Sequence, residues 1–165
     1  MGTGVDRVLL VDDEPASTYV DLGLAREAPL RHQAYLAYVR VYMRQPRPDG
    51  LSSNEEFDAL IAIGDALVEQ VVSGRPSTFA GRNTSNGTRD FYFYTADPDG
   101  FDSLVETAMA IRPEYQFETG VREDSGWNVY FDFLRPSPDD YQRIMNRRVW
   151  TVSPLRATTV QNLAS

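Results

Sequence analysis

Apolar and polar residues alternate along several short stretches of the chain, as expected for half-buried β-strands. The clearest stretch covers residues 35–43, in which every second residue is apolar. Two further stretches at 78–82 and 89–95 flank an Asn-rich segment, 83–87, that ends in Asn-Gly. Asn-Gly favours the tight turns of hairpins, so these two stretches are predicted to form a β-hairpin.

Apolar residues spaced three and four positions apart predict two amphipathic helices. The first helix is expected between Ser53 and Gly74, and the second between Pro98 and Pro113. Ser53 and Glu56 have the spacing of a capping box, which would satisfy free backbone N–H groups at the start of the first helix.

Four more strands complete the predicted sheet. A hairpin of residues 5–11 and 17–22 precedes the first helix, and strands 115–121 and 127–134 follow the second. The central order of strand, helix, strand, strand, helix, strand predicts an α+β, ferredoxin-like βαββαβ antiparallel sheet with helices on one face. The N-terminal β-hairpin, a C-terminal strand and a short helix from Ser137 extend this unit.

The 165 residues are expected to form one domain. Residues 1–149 carry the periodic patterns and are assigned to this single α+β domain. Residues 150–165 show no convincing period and are expected to be a loosely ordered tail.

Strand alternation separates the aromatic residues into two sets. The set predicted to face the helices contains Phe91, Phe93, Phe117, Trp127, Val129, Phe131 and Phe133. The opposite set, which we name the tyrosine face, contains Tyr38, Arg40, Tyr42, Tyr92, Tyr94 and Tyr130. A phenol needs a partner for its hydroxyl group, whereas a phenyl ring does not, so tyrosine suits a face that meets water or another polar surface.

Two interpretations of the tyrosine face remain open at this point. Terminal elements of the chain or a second subunit could cover it. Alternatively, it binds a protein partner, because Tyr and Arg are enriched at interaction hot spots.

Composition narrows the possible chemistry. All 16 basic residues are Arg, there is no Lys and no Cys, His32 is the single His, and the net charge is −8. Lysine Schiff bases, P-loop lysines, thiol nucleophiles and thiolate metal sites are therefore excluded. The negative charge also disfavours nucleic-acid binding, which depends on neutralising phosphates.

Targeting signals are not evident in the sequence. Its N-terminus lacks a signal-peptide core, and no run of 18 apolar residues is long enough to cross a bilayer. We expect a bacterial cytoplasmic protein without membrane contact, and the all-arginine usage fits a GC-rich genome.

One polar cluster is a candidate for binding or chemistry. Arg82 and Arg89 flank the Asn-rich turn at residues 83–87. Asp124 and Trp127 lie around the turn predicted between strands 115–121 and 127–134. These four residues are interpreted as a loop-orienting cluster with an Arg82–Asp124 ion pair, or as an anion site. A small-molecule or enzymatic site around Arg82, Asp124 and Tyr130 is the competing hypothesis for function.

Other candidate sites are weaker. His32 lies in a predicted loop without a nucleophile motif, so a surface histidine is expected. Acidic runs at residues 12–14 and 97–102 lack the spacing of a calcium-binding loop. The sequence thus predicts no catalytic residue, metal site or cofactor.

Four blocks of sequence carry a family resemblance. They are residues 46–52 (PRPDGLS) with 55–57 (EEF), 80–84 (AGRNT) with 89–94 (RDFYFY), 122–124 (RED) with Trp127 and Tyr130, and 133–137 (FLRPS). Together they resemble the bacterial "domain of unknown function 695" family over residues 5–148. The resemblance implies a frequent C-terminal module similar to the regulator of ribonuclease E activity B, but the sequence from Trp150 does not continue that module.

The predicted function follows from the tyrosine face and the missing catalytic set. We expect a non-enzymatic protein-interaction or regulatory domain whose partner is another protein or, as a homodimer, a second copy of the chain.

Overall fold

The computed structural model describes residues 4–11 and 14–134. Within these ranges the strands are β1 (Gly4–Val11), β2 (Glu14–Asp21), β3 (Tyr35–Tyr42), β4 (Ser77–Ser85), β5 (Thr88–Thr95) and β6 (Phe117–Glu123). The α-helices are α1 (Phe57–Val71) and α2 (Phe101–Met109). Short 3-10 helices cover Leu22–Arg26 and Asn54–Glu56, and a π-helix covers Val129–Leu134.

The six strands of the described ranges form one sheet in the order β1-β2-β4-β5-β3-β6, and every neighbouring pair is antiparallel. This arrangement confirms the α+β class. The two predicted hairpins, β1–β2 and β4–β5, are also present. Asn86 and Gly87 form the turn between β4 and β5, with φ angles of 51° and 85°. Both angles are positive, as the favoured two-residue hairpin turn requires.

The main hydrophobic core lies between the sheet and the two α-helices. Its strand residues include Ala37, Val39, Val41, Phe91 and Phe93, which are the apolar positions of one alternation phase. The helices contribute Leu60, Ile63 and Leu67 from α1, and Phe101 and Val105 from α2. The periodicity therefore predicts the buried face of β3, β5 and α2 correctly. In α1 the prediction is only partly right, because Phe57 and Ile61, which share the helical spacing of the apolar residues, are 61% and 42% exposed.

The start of α1 differs from the predicted capping box. Ser53 makes no side-chain cap, and its buried Oγ has no hydrogen-bond partner within the described ranges. Glu56 is buried and accepts hydrogen bonds from the backbone N–H groups of Arg44 and Gln45 instead, at 2.7 and 2.8 Å. This carboxylate therefore joins the end of β3 to the helix.

The predicted strand 127–134 is wrong, and the sheet consequently has no C-terminal strand at this place. Trp127 has a left-handed backbone with φ of 56°, and the π-helix Val129–Leu134 follows it. Asp124 ends the extended chain, because its carboxylate accepts hydrogen bonds from the N–H groups of Asn128 and Val129. Those groups are the free donors of a helical start.

Residues 135–165 lie outside the described ranges, and with them lie the predicted helix from Ser137 and the predicted tail 150–165. Within the described part of the chain, no helix is long and apolar enough to cross a membrane.

Candidate functional site

The tyrosine face is the side of the sheet opposite α1 and α2. Tyr38 pairs with Tyr92 and Arg40 pairs with Asp90 across β3 and β5, so these side chains share one side of the sheet. Tyr94 packs with Trp127 and Tyr130 in a second hydrophobic cluster, which is separate from the helix-facing core. The face divides into a covered half around Tyr94 and an open half around Arg40.

In the covered half, Trp127 lies flat on Tyr94. Their ring centroids are 4.1 Å apart, and the planes differ by 8°. Tyr130 meets the edge of Trp127 at a centroid distance of 6.0 Å, and all three side chains are fully buried. Trp127, which strand alternation assigned to the helix side, thus packs on the opposite face because the chain turns over the sheet after β6. Phe131 contacts Tyr130 and also lies on this face.

Hydrogen bonds hold the covered half in place. Trp127 donates through Nε1 to the carbonyl oxygen of Gln33 at 2.8 Å, and Tyr130 donates through its hydroxyl group to the carbonyl oxygen of Asp21 at 2.6 Å. The segment between β2 and β3 therefore closes over the rings, and this half of the tyrosine face is a second core. Within the described ranges this cover comes from internal segments of the chain, and the predicted cover by terminal elements or a second subunit is not what is seen here.

Asp124 lies beneath this cluster as a buried carboxylate. Its Oδ2 accepts a hydrogen bond from the Tyr94 hydroxyl group at 2.7 Å. Burial by itself would raise the pKa of Asp124, but the bonds from Val129, Tyr94 and Asn128, with the charge of Arg122, lower it below its ordinary value. Burial and the hydrogen bond to Asp124 raise the pKa of Tyr94. Asp124 therefore stays ionised and acts as a structural acceptor.

The open half is centred on an ion pair. The Arg40 Nε and Nη2 atoms donate to the two carboxylate oxygens of Asp90 at 2.9 and 3.0 Å, which is a bidentate arrangement. Arg40 Nη1 also lies 4.0 Å from Glu118 on β6. Asp90 is buried, whereas 42% of the Arg40 side chain is exposed. Asp90 therefore holds the pair against the sheet, and the Arg40 side chain extends towards solvent.

Tyrosine hydroxyl groups surround this pair. Tyr42 donates to Glu118 at 3.1 Å, and Tyr92 donates to Asp90 at 3.3 Å. The hydrogen bond to Glu118 is the largest influence raising the pKa of Tyr42, and burial is the largest influence raising the pKa of Tyr92. Both groups are neutral phenols at physiological pH. They suit recognition and do not suit proton abstraction, which requires a lowered pKa.

The ring of Tyr38 lies over the backbone of β6 at Gly120. A Cβ atom built on Gly120 would be 2.5 Å from Cζ and 2.6 Å from the hydroxyl oxygen of Tyr38. Gly120 is the cross-strand partner of Tyr38, so the missing side chain leaves room for the ring. This contact fixes the orientation of Tyr38 within the open half.

Two adjoining depressions of about 530 and 540 Å³ mark the open half. Both are lined by Arg40, Asp90, Tyr92 and Phe133. Phe133 meets Tyr92 edge-on at 6.0 Å and is 42% exposed, and Tyr42 is 39% exposed. Strand alternation predicts Phe133 on the helix side, but the π-helix places it on the tyrosine face against Tyr92. The open half therefore combines exposed aromatic rings with a charged centre.

The predicted polar cluster is divided between the two faces. Arg82 pairs with Phe91 across β4 and β5, which places it on the helix side, where its guanidinium lies 5.0 Å from the centre of the Tyr19 ring. A β-bulge between Phe79 and Gly81 shifts the alternation of β4 and sets this orientation. Asp124 makes its contacts on the other face, so the predicted Arg82–Asp124 ion pair does not form.

Arg89 is also on the helix side. It is buried and donates to Thr84 Oγ1 at 2.8 Å and to Ser52 Oγ at 3.4 Å. Arg82 and Arg89 are therefore not brought together with Asp124, Trp127 and Tyr130. His32 is exposed, as expected, and within the described ranges no cluster of three His, Asp or Glu residues could hold a metal ion.

Sequence reasoning missed Asp90 as part of the site. The sequence does carry a signal for Asp90, because strand alternation places it on the same face as Tyr92 and Tyr94. A single acid on that face needs a basic partner, and Arg40 is predicted to lie on it.

The fold and site define an α+β domain whose antiparallel sheet carries two helices on one side and a partly open tyrosine-arginine surface on the other. The chain belongs to the family of unknown function DUF695, whose model matches residues 8–135. This match confirms the family resemblance. No curated protein and no solved structure matches the chain.

Proposed function

We propose that this protein is a non-enzymatic interaction or regulatory module that binds a protein partner through the open half of the tyrosine face. The observation that carries the proposal is the exposure of Tyr42 and Phe133 beside the Arg40–Asp90 pair. Exposed aromatic rings around an arginine are the composition of interaction hot spots. The negative charge of the chain would suit a basic partner and speed its association.

The chemistry of the open half supports binding over catalysis. Tyr42 and Tyr92 have raised pKa values, and Arg40 is held as a cation by its hydrogen bond to Asp90. None of these groups is prepared to act as a base or a nucleophile at neutral pH. The competing enzymatic hypothesis depended on Arg82 and Asp124, which face opposite sides of the sheet.

Affinity capture from the source organism tests the proposal. The full chain would serve as bait, and copurifying proteins would be quantified by mass spectrometry. The double variant Tyr38→Ala/Tyr42→Ala removes aromatic surface from the open half. The matched control is Phe57→Ala/Ile61→Ala, because Phe57 and Ile61 are exposed apolar residues of α1 on the other side of the molecule.

The proposal expects one captured protein to be lost with the tyrosine variant and retained with the control. Retention with the folded tyrosine variant would contradict it. Capture that requires RNA or DNA, and that falls steeply with added salt, would replace the protein partner by a nucleic acid.

We also propose that the fold is ferredoxin-like. The unit from β3 to β6 has the order strand, helix, strand, strand, helix, strand, and the spatial order β4-β5-β3-β6 supports a ferredoxin-like arrangement. The proposed setting is the bacterial cytoplasm, which rests on composition and on the family resemblance.

A further inference from the structure

Among the strands that the structure describes, β6 lies at an edge of the sheet. It pairs with β3, and the strand 127–134 that the sequence predicted on its other side is a helical segment instead. Within the described ranges, the outer edge of β6 has no strand partner. Val121 on this edge is 41% exposed. An exposed edge is a template for pairing with another strand.

The hydrogen bonds at the two ends of the β3–β6 ladder show which backbone groups of β6 point outward. Tyr42 donates its N–H to the carbonyl oxygen of Gln116, and Asp124 donates its N–H to the carbonyl oxygen of Ala34. Antiparallel ladders alternate, so the even-numbered residues between these ends bond to β3. The N–H and C=O groups of Phe117, Thr119, Val121 and Glu123 therefore face away from the sheet.

We propose that β6 pairs antiparallel with β6 of a second copy about a twofold axis at Gly120. In this register Thr119 and Val121 exchange hydrogen bonds with Val121 and Thr119 of the other copy. Glu118 of each copy then lies opposite Arg122 of the other copy, which gives two ion pairs. Both are non-hydrogen-bonded pairs of the ladder, the type in which the side chains are closer together. The edge is thus complementary to itself in both backbone hydrogen bonding and charge, as a twofold interface requires.

Neighbouring registers lack this match. A twofold axis at Thr119 places Glu118 opposite Gly120 and leaves Arg122 opposite Gln116. An axis at Val121 places Glu118 opposite Asp124, which brings two acids together. Among the registers that pair outward-facing groups near the centre of β6, the axis at Gly120 therefore gives the best charge complement.

The pairing would join two tyrosine faces. Tyr38 lies over Gly120, so the Tyr38 rings of both copies would flank the axis on the same side. The result is one continuous sheet with a doubled open half. This inference does not depend on the proposed function, because sedimentation of the purified chain measures the dimer, whereas capture of another protein measures the partner.

Charge exchange tests the dimer. Sedimentation velocity over a range of concentrations should show the 18.6 kDa wild-type chain becoming a particle of twice that mass. Glu118→Arg and Arg122→Glu each turn two attractive pairs into repulsive ones, so each variant alone should dimerise about tenfold more weakly or worse. An equimolar mixture of the two variants should recover the dimer, because each then supplies the charge that the other lacks.

Two further variants complete the design. Val121→Pro removes an outward N–H without touching the β3 ladder, and it should yield a folded monomer by circular dichroism. Glu106→Arg on α2 is the control for a charge reversal elsewhere, and it should leave the dimer unchanged. A wild-type chain that stays monomeric at every concentration, or a mixture that fails to dimerise, overturns the proposal. Equal dimerisation of Val121→Pro and wild type would also overturn it.

Discussion

The indole ring of Trp127 is stacked on the phenol ring of Tyr94 at a centroid distance of 4.1 Å. This contact fastens the chain after β6 onto the sheet and converts half of the tyrosine face into a core. It also sets where the exposed part of the face begins. The covered half should therefore govern stability, while the open half should govern binding.

Trp127→Ala is expected to destabilise the fold by about 3–5 kcal/mol, because it removes a fully buried aromatic side chain and leaves a cavity. Urea unfolding followed by circular dichroism measures the change. Phe133→Ala is the control, since Phe133 is 42% exposed, and its effect should be less than half as large. Equal effects of the two variants would contradict the division of the face.

Asp124→Asn should lower the free energy of unfolding by about 2–4 kcal/mol at pH 7. The substitution removes a buried carboxylate that accepts three hydrogen bonds, from the Tyr94 hydroxyl group and from two backbone N–H groups. The pKa of Asp124 is lowered in the folded state, so its contribution is complete above the ordinary value of 3.8. The contribution disappears as the pH falls through the lower folded value. The difference between wild type and variant should therefore shrink below about pH 4.

Denaturant titrations across this pH range check the expectation. Asp132→Asn is the matched control, because Asp132 is exposed, and it should differ little from wild type in stability at pH 7. A deficit of Asp124→Asn that is independent of pH would refute the role of the ionised carboxylate.

Gly120→Ala should cost about 1–3 kcal/mol in the wild-type background, because the new methyl group overlaps the Tyr38 ring. In a Tyr38→Ala background the ring is absent, and the same substitution should be neutral or slightly stabilising, since Ala restricts the unfolded chain. A double-mutant cycle of unfolding free energies measures this coupling. Additive effects would mean that Tyr38 does not lie on Gly120 in solution.

Tyr115→Phe tests the carboxylate that joins β3 to α1. The Tyr115 hydroxyl group donates to Glu56 at 2.5 Å, and its loss should cost about 1–2 kcal/mol at pH 7. Burial, followed by the bond to Glu56, raises the pKa of Tyr115 to about 12 from an ordinary value of 10.0. The stabilising contribution is therefore complete below pH 10 and is lost as the pH rises towards 12.

The stability difference between wild type and Tyr115→Phe should accordingly narrow between pH 10 and 12. Tyr35→Phe serves as the comparison, because the Tyr35 hydroxyl group has no hydrogen bond within the described ranges, and the substitution should change the free energy of unfolding little at pH 7. A constant difference for Tyr115→Phe would count against this account.

Alternation alone was sufficient to place Arg40, Tyr42 and Tyr92 on one side of the sheet. It worked because β3 and β5 are regular strands in continuous register. It failed for Trp127, where the segment also carries apolar residues at helical spacing, namely Trp127, Tyr130 and Leu134. The carboxylate of Asp124 decides between these two patterns by binding the free N–H groups of the turn.

The position of Arg82 illustrates a second limit. One extra residue at the β-bulge reverses the direction of every side chain beyond it, and only the pairing of β4 with β5 shows where that residue is. Gly81 marks the place, because a Cβ there would overlap the carbonyl oxygen of Tyr19. A single glycine in a strand is too weak a signal to fix a bulge from sequence alone.

The binding affinity of the captured partner for single variants tests the central claim most directly. Calorimetry would compare Tyr42→Ala, from the open half, with Phe57→Ala, an exposed aromatic residue of α1. Truncation of a hot-spot residue costs about 2 kcal/mol, so the account predicts binding about thirtyfold weaker for Tyr42→Ala and unchanged for Phe57→Ala. Unchanged binding of Tyr42→Ala with weakened binding of Phe57→Ala would assign the interface to the helical side and contradict the account.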